Sequence, residues 1–198
     1  MAREATFGGA TALAVLYLHH RRSEDLDFFL TREVEPAELR ALSAAVRRLG
    51  FLVDTRPMPM RQTLVLAKSG REVGHIDLAH FPYDPIDRPV RWRGLRVDSL
   101  LDITVNKVQA VLTRARERDF VDLWFLLREG AERDVDRLLA LTRAKFDVGA
   151  SRVTLAEQLL RVEAITKLPR MIRPLPLAAL RAFFVDLARE LVRKGPGQ

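Results

Sequence analysis

"HHRRSEDLDFFL", residues 19–30, is the stretch on which the reading of this chain turns. Asp25 and Asp27 sit one residue apart in a run otherwise made of Leu26, Phe28, Phe29 and Leu30. Aromatic and aliphatic content predicts a strand over 25–30, where successive side chains point to opposite faces. Asp25, Asp27 and Phe29 then share one face, with Leu26, Phe28 and Leu30 on the other. Residues two apart on a strand are about 6.5–7 Å apart, so the two carboxylates repel unless a cation relieves them or one protonates. Mg²⁺, a hard ion that takes oxygen ligands, is the natural relief. The competing reading is an edge strand that happens to expose two acids.

Working outward, "GGATALAVLYLHH" (8–20) predicts a buried helix opened by Gly8-Gly9, whose backbone N–H groups can approach a phosphate at a helix start. Ser23, Arg21 and Arg22 precede the acids, where a hydroxyl and guanidinium groups suit a polyphosphate. The block 19–22 reads equally well as cations at a solvated helix C-terminus. Residues 35–50 predict a helix: Pro36 suits the first turn, Leu39, Leu42, Val46 and Leu49 recur at helical spacing, and Gly50 ends it. Strands are expected at 51–55, 62–67 and 72–81, with a hairpin turn at 68–71. Pro82 to Pro89 is a loop, and 92–99 is a last short strand leading to a helix capped by Asp98 or Ser99. Helices follow at 99–115, 117–129, 132–145, 152–167 and 176–194. The expected architecture is α+β, a small mixed sheet in residues 1–97 and an all-helical half in 98–198.

The chain has 198 residues, 33 basic against 26 acidic, for a net charge of +7. That balance fits a polyanionic partner and equally an arginine-rich shell without function. Cysteine is absent, which rules out disulfides, thiolate metal sites and cysteine nucleophiles. Met1 to Glu4 leads almost directly into Gly8-Gly9, with no pattern of a signal peptide, and the apolar run 10–18 is too short to span a bilayer. A cytoplasmic protein with no membrane association is expected. The four histidines have no zinc spacing. Trp92 and Trp124 read as packing residues, and the arginines and lysines between Arg143 and Arg193 read as an RNA-facing surface or a solvated shell.

The ordered run Thr11-Ala12-Leu13, His20-Arg21, Ser23, Asp25-Leu26-Asp27 and Phe28 resembles the opening motif of the AbiEii/AbiGii-type nucleotidyltransferase toxins. These belong to the DNA polymerase β-like superfamily and include the MenT toxins. With Thr11 aligned to the family threonine, the glycine pair becomes Gly9-Ala10 and Gly8 is extra. The segment "DITVNKVQAVLTRARERDFVDLWFLL" is similar to the family's K…R…R-D-x-x-D-L stretch. The resemblance implies a polymerase β-like core and a third metal-binding acid from a later strand, for which Asp77 is the candidate. Alternation along 72–81 sets His75, Asp77 and Ala79 on one face, opposite Ile76 and Leu78.

By that resemblance Asp25, Asp27 and Asp77 hold Mg²⁺ (or Mn²⁺), and Asp77 also takes the proton of the attacking hydroxyl. Gly8, Gly9, Ser23 and Arg21 grip the phosphates of an NTP. Lys107 neutralises the triphosphate, and Asp122, on one helix face with Asp119, is an essential acid that holds Lys107. Arg118-Asp119 is a supporting pair. The implied reaction is transfer of an NMP to an acceptor hydroxyl, the tRNA 3′ end, by the toxin of a pair whose antitoxin is separately encoded. A small-molecule or protein acceptor, or an inactive nucleic-acid- or partner-binding relative, are the alternatives.

Overall fold

The structure is a computed structural model that describes residues 4–193. Residues 1–3 of the N-terminal lead and the tail 194–198, with the last residue of the expected final helix, lie outside them. The chain is mixed α/β, built on a seven-stranded sheet in the order β3-β4-β5-β2-β1-β7-β6. In chain order the strands are β1 (Thr6–Gly8), β2 (Leu26–Leu30), β3 (Leu52–Met58), β4 (Arg61–Lys68), β5 (Arg71–His80), β6 (Val90–Trp92) and β7 (Leu95–Val97). The helices are α1 (Gly9–Ala12), α2 (Pro36–Arg48), α3 (Leu100–Thr113), α4 (Glu117–Glu129), α5 (Val135–Phe146), α6 (Arg152–Leu160) and α7 (Leu177–Arg193). Among the described residues, no helix is long and apolar enough to cross a membrane.

β2 lies at the centre of the sheet. It pairs antiparallel with β1 and parallel with β5, and the second pairing sets Asp27 directly opposite Asp77. β4 and β5 form the expected hairpin, with Ser69 and Gly70 both at positive φ (51° and 73°) in its turn. The apolar face of β2 and β5 packs on α2, where Leu30, Leu64, Ile76 and Leu78 enclose a cluster with Val46 of the helix. α2 keeps its start by a reciprocal cap between Glu35 and Glu38, with Pro36 at the first helical position, as such a sequence should.

The opposite, acid-bearing face of β2 looks toward the helical half. A second cluster joins Phe7, Leu13 and Val97 to Phe120, Phe125, Leu138 and Phe184, so one apolar core runs across residue 97. α1 continues as a π-helical segment, Leu13–Leu18, that ends on His19 at φ 48°.

Three local expectations are corrected. The segment 8–20 is not all helix, because Gly8 closes a strand and Gly9, at φ 66°, turns the chain into α1. Residues 92–99 are not one strand: Arg93 and Gly94, at φ 48° and 82°, turn β6 back into β7. The helix predicted over 152–167 stops at Leu160 and tightens into a 3₁₀ turn, Arg161–Ala164. Of the two residues expected to cap α3, Ser99 does so, by accepting from the Asp102 N–H at 2.9 Å.

Candidate active site

The acid-bearing face of β2 and β5 and one face of α3 enclose a cavity of about 290 Å³. Gly9, Ser23, Asp25, Asp27, Asp77 and Lys107 all line it. Cross-strand register brings Asp27 against Asp77, fifty residues away in sequence. Gly9 has to be glycine on two counts. Its φ of 66° is left-handed, and a Cβ there would run into the Asp27 carboxylate. Gly8 lies in β1 instead, packed on Phe29 and the Asp98 carboxylate, and does not line the cavity.

The three acids have separate partners. Asp25 accepts from His75 Nδ1 at 2.9 Å and lies 3.8 Å from Arg118. Asp77 accepts from the Thr63 hydroxyl and from Arg61 at 3.3 Å. Asp27 is pushed up to about 6, first by burial and then by the carboxylates of Asp77 and Asp25, with Lys107 and Arg61 opposing. That repulsion is what a cation would remove, and the donors are all hard oxygens suited to a Mg²⁺-like ion. Among the described residues, no group of three His, Asp or Glu is gathered closely enough to hold one metal ion. Asp25 is drawn to His75, and Asp77 to Thr63 and Arg61.

Behind the cavity lies a buried ionic cluster. Asp122, 0% exposed, accepts from Arg21 Nε and Nη2 at 2.6 and 2.8 Å. Its other contacts are His20 Nε2 at 2.8 Å and Lys107 Nζ at 2.6 Å. The charges of Lys107 and Arg21 and the hydrogen bonds from Arg21 and His20 hold the Asp122 carboxyl far below the usual range against its burial. Asp119, also 0% exposed, accepts from Lys107 at 3.1 Å and from Arg114 Nε and Nη2, each at 2.8 Å. An ammonium has three protons, so Lys107 keeps one donor for the cavity that it lines.

Arg21 is thus placed differently from the expectation at the polyphosphate. It is 4% exposed, bonded to Asp122, and absent from the cavity wall. Neither reading of the basic block anticipated this, since His20 is buried as well. The Arg118-Asp119 pair does not form; Arg118 reaches Asp25 while Asp119 serves Lys107 and Arg114.

Sequence reasoning also missed Thr11 as a positioning group: its hydroxyl touches the Ser23 hydroxyl at 2.7 Å and donates to the Asp25 carbonyl. The signal was present, because Thr11 belongs to the quoted motif. Arg61, by contrast, enters only through the β4–β5 register.

A separate surface groove is lined by Arg116, Arg161, Lys167 and Arg170, with Glu117 its one acid among the described residues. Several C-terminal cations are used elsewhere: Lys145 on Asp102 at 2.7 Å, Arg152 on Asp136 at 2.6 Å and Arg173 on Glu129 at 2.7 Å.

Comparison with known proteins bears on the fold and the family. A protein of Aquifex aeolicus (strain VF5), aq_aa25, is 28% identical over 143 residues, 70% of this chain and 64% of the relative's length. The crystal structure of a candidate nucleotidyltransferase from H. pylori superposes with a TM-score of 0.61 at 21% identity, covering 96% of this chain and 87% of that one. JHP933 from Helicobacter pylori gives 0.59 at 19% identity, over 96% and 84% of the two chains. At such identities the two structures speak for the fold. The family described as nucleotidyl transferase AbiEii toxin, type IV toxin–antitoxin system, matches residues 2–194, and to that family the chain belongs.

Proposed function

We propose that the chain is a Mg²⁺- (or Mn²⁺-) dependent nucleotidyltransferase and the toxin of a toxin–antitoxin pair. It would move an NMP from an NTP to the 3′-terminal hydroxyl of a tRNA. A bond forms between the acceptor oxygen and the α-phosphorus, the bond from that phosphorus to the bridging oxygen of pyrophosphate breaks, and the hydroxyl proton passes to Asp77. The observation that carries this reading is the juxtaposition across one cavity of Asp25, Asp27 and Asp77 with Lys107.

Asp27 and Asp77, opposite each other across β2 and β5, would hold the metal between them, and Asp25 would join them on leaving His75. A divalent ion there would neutralise the developing charge of the transferred group and lower the cost of deprotonating the acceptor. Gly9 leaves room beside Asp27, and Ser23, held by Thr11, offers a hydroxyl to the phosphates. Lys107 contributes its remaining donor, with Asp119 and Asp122 fixing its direction. An RNA acceptor is favoured by the groove of Arg116, Arg161, Lys167 and Arg170, none ion-paired among the described residues, since backbone phosphates are bound by such cations.

The test is incubation with labelled NTPs, Mg²⁺ and total tRNA, in parallel with Asp27→Ala and Lys107→Ala. Label enters tRNA with the wild type and with neither variant, while both keep the wild-type circular dichroism spectrum. Failure of the wild type to label any RNA refutes the acceptor. Full transfer by either variant refutes the role given to that residue.

A further inference from the structure

α3 presents to the cavity two primary amides, and no hydrogen bond to them is made among the described residues. Both Asn106 Nδ2 and Oδ1 are buried without a hydrogen-bond partner, as is Gln109 Oε1, and both residues line the cavity. A buried polar group without a partner is uncommon enough in folded proteins to need a reason. Here a donor and an acceptor stand side by side on one planar group.

Their surroundings are graded along the cavity. From Asp27 along β2 the same face carries Phe29, and from Asp77 along β5 it carries Ala79 and then Phe81. Phe81 stacks on Phe29 at 4.7 Å between ring centroids and meets Phe146 edge-on at 6.0 Å. α3 follows the same gradient. Its first turn lies beside Phe146, because Asp102 binds Lys145. Its far end carries Arg114 toward Asp119. Asn106 stands four residues along α3 from Asp102 and about 12 Å of helix before Arg114, and it lines the cavity together with Phe29, Phe81 and Phe146.

The basic groove includes Arg116 and Glu117, next in the chain to Arg118, which lines the cavity and lies 3.8 Å from Asp25. An acceptor strand lying in that groove and entering past Arg118 would meet Asp25 first, which would leave the aromatic rings for something small and flat. At about 290 Å³ the whole cavity suits one small ligand.

We propose that Asn106, backed by Gln109, reads the base of the incoming nucleotide, with Phe29, Phe81 and Phe146 as the apolar wall against that base. This rests on the nucleotide-transfer reading of the same cavity. A carboxamide pairs two-point with a base edge that shows a donor next to an acceptor, and ring faces stack bases whatever their identity. The amide thus supplies selectivity and the rings supply affinity. The unpaired atoms are the cost of a site that is complete only when a base fills it.

The experiment is calorimetric titration of Mg²⁺ with non-hydrolysable analogues of ATP, GTP, CTP and UTP into the wild type and Asn106→Leu, with no acceptor present. The wild type should separate its best and worst analogues by about tenfold or more, and the variant should compress that spread to near unity. The thermal midpoint of the unliganded variant should not fall, because the amide makes no internal bond; a merely structural asparagine would lower it. Retention of the full spread by Asn106→Leu overturns the inference, even if the variant's preference for the acceptor's terminal base changes. So does a wild type that binds all four alike. A wild type that binds none overturns the nucleotide reading of the cavity, and the inference with it.

Discussion

Asp122→Asn tests whether the buried cluster is an electrostatic unit. The substitution keeps the shape of the side chain but removes its charge and one acceptor, where Arg21, His20 and Lys107 all converge within 2.6–2.8 Å. Arg21 is 4% exposed, so its guanidinium cannot recover water, and Lys107, 7% exposed, reaches it only through the cavity. Breaking a buried pair and stranding its partner costs about 3–5 kcal/mol, a large share of the roughly 5–15 kcal/mol that holds a domain folded. With a urea slope of about 2 kcal/mol per M, the midpoint should fall by about 2 M.

The sign with pH follows from the depressed carboxyl. Asp122 titrates in the folded state well below its unfolded value, so its stabilisation is complete above about pH 4 and lost as pH falls through the folded value. The gap between wild type and variant should therefore be constant near neutrality and close below about pH 4. Urea melts followed by tryptophan fluorescence at a series of pH values measure both quantities. A midpoint within about 0.3 M of wild type at pH 7 would refute the argument, as would a gap that widens in acid.

Gly9→Ala should lower transfer by about a hundredfold through displacement of Asp27, while Gly70→Ala leaves it unchanged. Both glycines have positive φ, but only the Cβ at position 9 meets another group; equal loss in the two variants would show that backbone strain alone is responsible. Asp98→Asn should stabilise the protein. Burial, and then Asp102, push the Asp98 carboxyl up to about 7 against Lys145, and Oδ2 has no partner. Because the folded value is raised, the charge costs stability as pH rises from about 4 to 7. Urea midpoints should thus rise by a few kcal/mol equivalent at pH 8 and less at pH 5. An equal gain at both pH values, or a loss at pH 8, would contradict this.

The parts legible in the sequence were those that repeat at short range. α2 follows from leucines at helical spacing between Pro36 and Gly50, and the β4–β5 hairpin from two apolar runs about a Ser-Gly turn. The α+β class followed from their order. What escaped was set by distant partners or by very short elements. β1 is three residues long, too few for any period, and exists because β2 and β7 flank it. "WRGLRV" carries no Asn-Gly or Asp-Gly signal for its turn, so β6 and β7 merged into one strand. Asp25, Asp27, Asp77 and Lys107 were found by their motifs, and the structure brings all four to one cavity. Arg21 was found by the same motif and yet faces away, because its partner Asp122 lies 101 positions along the chain and no local pattern encodes that pairing. Asn106 gave no signal, since an amide on a helix reads as solvent-facing until its lack of partners is visible.

One seam in the architecture governs how the molecule could be cut. Residues 20–22 are stitched to 170–173: Arg21 bridges Met171, the Arg22 N–H donates to the Arg170 carbonyl at 2.8 Å, and Ile172 and Arg173 both donate to the His20 carbonyl. The polypeptide thus returns, after some 150 residues, to clamp the segment just ahead of the acids. A fragment ended at the natural-looking break after β7 would carry every strand and all three aspartates. It would nonetheless lose both the lysine and the backstitch that sets the acidic strand's entry angle, so splitting the gene there should yield halves that work only on reassociation.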